Sequence, residues 1–180
     1  YAGSYYRTSE YGNFENITFE DSETPLVLED PYGYVLFSPT ENLYLGRDIV
    51  RTNENPNNYI FLTTNAILGD HVTEVNSRMF GSLEKVTLGK NLKKLGDYSF
   101  DRTKIKSIDI PASTEEIGTC AFYDCDSLNT VILHEGLKII GKNAFTYCDT
   151  LKSLTIPASV DSIGEGFVSP YSHMTDLTFK

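Results

Sequence analysis

The chain contains no apolar run near the roughly 18 residues that a membrane span needs, so nothing in it reads as a transmembrane helix. It has no basic stretch either. A formal net charge of -10 sets up a field that repels phosphate backbones, which excludes nucleic acid as an expected partner. Cysteine is scarce, with three residues and no C-x-x-C pair or suitably placed histidine, so the close ligand pairs of a zinc site are missing. No G-x-S-x-G elbow, phosphate-binding loop or dinucleotide glycine fingerprint occurs, which leaves no nominated nucleophile and no cofactor. The acidic run "YDCDS" (Tyr123–Ser127) lacks the residue order of a calcium loop and reads as a solvated turn. His71, His134 and His173 stand at unrelated positions and read as surface or turn residues. There is no signal peptide; a chain opening on Tyr1 reads as a mature or trimmed product.

What is present is repetition. The segments "VTEVNSRMF", "LKKLGDYSF", "TEEIGTCAF", "LKIIGKNAF" and a shortened "VDSIGEGF" align on an Ile-Gly-type doublet and a closing phenylalanine. Those phenylalanines, Phe80, Phe100, Phe122, Phe145 and Phe167, step by 20, 22, 23 and 22 residues. A second landmark, seen as "LEKVTL", "IKSIDI", "LNTVIL", "LKSLTI" and "MTDLTF", has middle positions Val86, Ile108, Val131, Leu154 and Leu177, stepping by 22, 23, 23 and 23. Ala66 marks a weaker earlier copy and "ENLYLGR" (Glu41–Arg47) an earlier strand.

One copy reads as one coil. In "IKSIDI", Ile108 and Ile110 alternate with Ser107 and Asp109, giving a short strand with one apolar and one polar face. Pro111, or Gly89 one copy earlier, ends the strand. Ile117, Ala121, Phe122 and Cys125 then turn an irregular or short helical return segment inward. The glycines of the doublets allow positive φ and close approach of a neighbouring coil. A lone coil of this length cannot bury enough apolar surface to offset its ordering entropy, so coils must stack and pair their strands into a parallel sheet.

The phrase "I-x-I-P-x-S-V-x-x-I-G-x-x-A-F-x-x-C-x-x-L", together with "NLYLGRDI", resembles the BspA-like class of leucine-rich repeats across residues 41–180. Three departures stand out: Asn76 replaces a doublet glycine, His134 replaces the proline, and the last doublet lies one residue closer to its phenylalanine. The fold this implies is an α/β solenoid, a right-handed leucine-rich-repeat stack with a parallel β-sheet on its concave face and short helical or irregular segments on the other. The resemblance further implies a secreted or cell-surface bacterial protein without enzymatic activity, whose relatives adhere to host proteins or other cells.

Residues 1–40 differ in composition, with five tyrosines as far as Tyr32, at 1, 5, 6, 11 and 32, and a text, "NFENITFEDSETPLVLEDP", that alternates like two strands around a polar turn. They are expected to form an irregular N-terminal cap or a diverged repeat, followed by a single solenoid domain over 41–180. "RTNENPNNY" (Arg51–Tyr59) reads as an exposed loop. Cys125 and Cys148 occupy the same place in consecutive coils, which permits two readings: small buried residues on an inner column, or a disulfide.

With no catalytic constellation, the strand face is the expected binding surface. Its outward positions form one column through Lys85, Ser107, Thr130, Ser153 and Asp176 and another through Tyr44, Ile67, Thr87, Asp109, Ile132, Thr155 and Thr178. Tyr44, Ile67 and Ile132 break an otherwise polar pattern, as interface anchors do; they also fit a plain preference for β-favouring residues. Tyr44, Ile67, Lys85, Thr87, Asp109, Ile132 and Thr155 are therefore the candidate residues for contact with a protein ligand. The alternative is a stalk segment of a longer surface protein with no ligand of its own, which the uncapped strand-like ending "DLTFK" favours.

Overall fold

The computed structural model describes residues 14–28, 40–51, 59–170 and 172–180. Tyr1, Tyr5, Tyr6, Tyr11 and Tyr32 and most of the Asn-rich stretch after Arg51 lie outside the described residues. Sixteen strands are described. The first eight are β1 (Phe14–Phe19), β2 (Leu26–Leu28), β3 (Thr40–Leu45), β4 (Ile49–Arg51), β5 (Phe61–Leu68), β6 (Glu74–Val75), β7 (Phe80–Gly81) and β8 (Lys85–Thr87). The rest are β9 (Lys94–Leu95), β10 (Ser107–Asp109), β11 (Glu116–Ile117), β12 (Thr130–Ile132), β13 (Ile139–Ile140), β14 (Ser153–Ile156), β15 (Ser162–Ile163) and β16 (Asp176–Phe179).

Every pairing between them is parallel and joins one coil to the next, as a solenoid requires. On the wide side, Ile17, Leu43, Ala66 and Val86 are register partners through β1, β3, β5 and β8. Ile108 pairs with Val131, and Leu154 with Leu177. β1 and β2 fall within the text read as two strands about a turn, but each pairs one coil onward, β1 with β3 and β2 with β4.

The wide sheet is broken between β8 and β10 and between β12 and β14. Both breaks fall where the incoming strand ends in proline, Pro111 and Pro157. Proline brings no N–H to the ladder and restrains the residue before it. At the equivalent place after β16, Lys180 does have an N–H and donates it to the Ile156 carbonyl at 3.1 Å.

The expected helical segments are absent: no helix occurs among the described residues. A second, continuous sheet, β6-β9-β11-β13-β15, stands there instead, with Val75, Leu95, Ile117, Ile140 and Ile163 in register. The reason is spacing. Sheets on two sides hold successive coils at roughly 4.8 Å, whereas stacked helices need about 10 Å. The turn that follows therefore bonds outward. Tyr98, Phe100 and Arg102 donate their N–H groups to the carbonyls of Thr119, Ala121 and Tyr123 in the next coil, while Ser99, Asp101 and Thr103 donate three residues back. Cys120, Phe122 and Asp124 repeat this toward Lys142, Ala144 and Thr146. Two left-handed residues four apart shape each turn: Tyr98 and Arg102, Cys120 and Asp124, Asn143 and Tyr147. A helix cannot run through them.

Phenylalanine fills the centre. Phe61, Phe80, Phe100, Phe122 and Phe145 are buried in one column, with ring centroids 6.3, 5.6, 5.5 and 5.2 Å apart in turn, the last three pairs nearly coplanar in orientation. Phe61 heads this column although it lies outside the Ile-Gly register. Phe167 leaves it: Phe145 bridges Val168, and Phe167 takes the place that Ala121 and Ala144 hold in earlier coils. The missing residue between doublet and phenylalanine thus shifts the side chain out of the stack.

The doublet glycines Gly118, Gly141 and Gly164 serve close approach and not positive φ. A Cβ on Gly118 would sit 2.7 Å from the Asp97 backbone nitrogen, and on Gly141 it would fall against the Gly118 carbonyl carbon. Asn76, at the head of this series, instead donates its side-chain amide to the Ile49 carbonyl.

Two stability measurements follow from this packing. Phe122→Ala, which empties the middle of the ring column, is expected to lower the free energy of urea unfolding by about 3 to 5 kcal/mol. Gly141→Ala is expected to cost about 1 to 3 kcal/mol, because backbone must move to admit one methyl group.

Candidate binding surface

The strand face has a polar ladder that sequence periodicity does not reveal. The Asn42 side-chain amide donates to Asn16 Oδ1, and that of Asn65 to Asn42 Oδ1, each at 3.0 Å. Because Asn65 is the register partner of Lys85, this asparagine row is the upward continuation of the Lys85 column. Strand pairing aligns the three residues, and their own amides then satisfy one another. The signal in the sequence is the step of 26 and then 23 between Asn16, Asn42 and Asn65.

Tyr44, Ile67 and Thr87 share one register row across β3, β5 and β8. Tyr44 is half-buried and its hydroxyl donates to Asp21 Oδ1 at 2.6 Å. That hydrogen bond to a carboxylate, with burial second, raises the phenol above its ordinary range. Ile67 and Ile132 are 51 % and 45 % exposed, so these two apolar side chains do face outward. Asp109 is the register partner of Ile132, and Thr155 stands exposed on β14, past the second break.

The first break opens a depression of about 500 Å³ between β8 and β10. Thr87, Asp109 and Ile132 line it, so it gathers three of the candidate residues; Tyr44, Ile67, Lys85 and Thr155 do not line it. Val86 and Ile108 form part of its apolar floor. Lys90 and His134 also line it; the sequence marks His134 only as a surface residue in the place of a proline, and Lys90 not at all. Both are held by carboxylates: Lys90 Nζ lies 2.7 Å from Asp70 Oδ2, and His134 Nε2 lies 2.7 Å from Asp109 Oδ1. The Lys90 hydrogen bond, above all, keeps the Asp70 carboxyl below its usual range. An apolar floor with fixed polar groups at its rim can seat a side chain of a partner.

The cysteines take no part in this surface. Cys120, Cys125 and Cys148 are free and buried. Cys125 donates its thiol to the Phe100 carbonyl at 3.0 Å and Cys148 to that of Phe122 at 3.1 Å, the same bond one coil apart. Thr103 stands one coil before Cys125, and its hydroxyl donates to the Phe100 carbonyl at 2.9 Å. The column is thus one of small donors that satisfy turn carbonyls. The contact with Cys125, and then burial, push the Cys148 thiol far above its ordinary range. Among the described residues, no three His, Cys, Asp or Glu side chains converge as a metal cluster would.

A second buried polar group lies among the turns. Arg78 Nη1 lies 3.3 Å from Asp101 Oδ2, and the guanidinium stacks 4.8 Å above the Tyr98 ring. Burial pushes the Asp101 carboxyl up despite the neighbouring cation.

Against known families, residues 57–179 match the BspA type leucine rich repeat region in six copies. The chain belongs to that family. Among solved structures it is similar to the pneumococcal vaccine antigen PcpA, with 19 % identity and a TM-score of 0.57 over 90 % of this chain and 41 % of that one. The chain thus spans about two fifths of that structure's length. A leucine rich cell surface protein from Faecalibacterium prausnitzii A2-165 gives 20 % identity and a TM-score of 0.45, over 94 % of this chain and 70 % of that one. No curated protein matches the chain.

The thiol arrangement has a direct check. In native protein Ellman's reagent is expected to leave all three thiols essentially unreacted, and in denaturant without reductant to titrate three. A count of one in denaturant would show a disulfide in place of the Cys125 and Cys148 bonds to carbonyls.

Proposed function

We propose that this protein is a non-enzymatic binding module of a secreted or cell-surface bacterial protein, which recognises a protein partner through its strand face. That face is the inner wall of the right-handed, curved stack expected from the family. The observation that carries the reading is the pair of outward apolar residues, Ile67 and Ile132, on a face whose other positions are, Tyr44 apart, mostly small or polar. Ile132 borders the depression at the sheet break, where the partly buried Val86 and Leu88 add apolar surface. Burying such groups centrally, with a polar rim around them, is how a modest number of contacts supplies most of the affinity of an interface. A solved structure of similar fold is a pneumococcal vaccine antigen, which supports an extracellular setting. No helix of the described residues is long and apolar enough to cross a membrane. The partner is a protein of a host surface or of another cell.

A structural role as one segment of a longer stack is the second reading. It is favoured by the share of the pneumococcal antigen's structure that the chain covers, 41 %.

The test uses fluorescently labelled protein on cultured epithelial cells. Ile132→Asp and Ile67→Asp are each expected to lower bound protein at least tenfold, while the melting temperature moves by no more than about 2 °C, since both side chains already face solvent. Glu116→Lys, on the opposite sheet, is expected to leave binding unchanged. Binding that survives both strand-face variants would move the function to another surface.

A further inference from the structure

The turn edge of the stack already seats one guanidinium of this chain. The Arg78 Cζ lies 4.8 Å from the centre of the Tyr98 ring, and its Nη1 lies 3.3 Å from Asp101 Oδ2. Tyr98 and Asp101 belong to the coil after Arg78, so a cation reaching over from outside that coil meets an aromatic ring and a carboxylate together. Both offer negative potential to the same group, and the flat, weakly hydrated guanidinium also stacks on the ring.

Further along the same edge stand the same materials without a cation. Tyr123 and Tyr147 pack edge to face, with ring centroids 5.2 Å apart and planes at 81°. Tyr147 is 45 % exposed. Cys125 and Cys148 make the same thiol-to-carbonyl bond one coil apart, so the residues flanking them stack, Asp124 against Tyr147 and Asp126 against Asp149. Two hydrogen bonds join these segments: the Asp124 N–H donates to the Thr146 carbonyl at 2.9 Å, and the Thr150 hydroxyl to the Asp126 carbonyl at 2.8 Å.

Charge is left over here. Arg102 Nε lies 3.3 Å from Asp124 Oδ2, but Asp126 and Asp149 are exposed and neither has an ion-pair partner among the described residues. No cation of the described residues stands over the Tyr123 or Tyr147 ring. Two carboxylates one coil apart repel each other, and a cation beside them relieves that repulsion. The carboxylates alone would make a solvated turn. The open ring next to them, and the arginine seated on Tyr98 by the same pair of contacts, select the ligand.

We propose that Tyr147, with Asp124, Asp126 and Asp149 around it, is a second binding site, which takes an arginine side chain of a basic partner segment as Tyr98 and Asp101 take Arg78. The site lies on the turns, away from the strand face, and stands independently of the strand-face reading. The chain's net charge of -10 draws a basic segment toward it. Lysine fits less well, because its ammonium is a compact, strongly hydrated point charge that does not stack. An exposed cation–π contact is individually weak, so the site adds selectivity for arginine to binding that charge steers.

Fluorescence anisotropy at low salt with two fluorescein-labelled peptides, Gly-Arg-Gly-Arg-Gly and Gly-Lys-Gly-Lys-Gly, tests this. Both carry the same charge, so the expected preference of about threefold or more for the arginine peptide reports stacking. Tyr147→Phe keeps the ring and is expected to keep the preference. Tyr147→Asn removes the ring while suiting the left-handed backbone there, φ 61°, and is expected to abolish it. Asp149→Asn is expected to weaken both peptides about twofold or more, whereas Glu115→Gln, the same change of charge beside β11, leaves them unchanged. Thermal melts check that each variant is folded. Equal binding of the two peptides would overturn the proposal. So would an arginine preference that survives Tyr147→Asn, or a loss in Asp149→Asn that Glu115→Gln reproduces.

Discussion

The coil-to-coil distance governs this molecule. Parallel ladders on two sides of the stack set it at roughly 4.8 Å, and every other element is obliged to fit that interval. The phenylalanine rings meet it by lying nearly parallel, 5.2 to 5.6 Å apart from Phe80 to Phe145. Gly118, Gly141 and Gly164 meet it by having no Cβ where backbones pass closest. The thiols of Cys125 and Cys148 meet it by reaching one coil back to a carbonyl. Because each coil leans on its neighbours for burial and for hydrogen bonds alike, the structure behaves as a one-dimensional stack whose interfaces carry the stability.

The same interval decides the shape of the turns. A segment such as Ile117–Cys125, with apolar residues at helical spacing, would form a helix if it were free to choose its neighbours. Here every second N–H finds a carbonyl of the adjoining coil close by, and the remaining ones close four-residue turns by bonding three residues back. Left-handed residues such as Cys120 and Asp124, which cost about 1 to 2 kcal/mol each, are tolerated because they aim the alternate N–H groups outward. Exposed ion pairs between coils, such as Lys94 with Glu116 and Lys142 with Glu165, add only a little to each junction.

Function rests on what this regularity leaves over. A flat ladder of small polar groups would offer a partner little purchase. Prolines at 111 and 157 interrupt it, and the first interruption opens the hollow that Ile132, Asp109 and His134 border.

The repeat itself was legible in the residues: the steps of 22 and 23 between Ile108, Val131, Leu154 and Leu177 fix a parallel stack, since no other arrangement buries identical apolar faces at that period. So were the outward positions of Ile67 and Ile132, because strand alternation alone decides which face a side chain takes. The asparagine ladder, the gathering of Lys90 and His134 at the hollow, and the place of Phe61 at the head of the ring column were decided by tertiary structure. Each depends on which atoms of different coils come to lie side by side. The turns were decided there too, because the carbonyls that draw them away from a helix belong to the next coil, some 20 residues further along the chain.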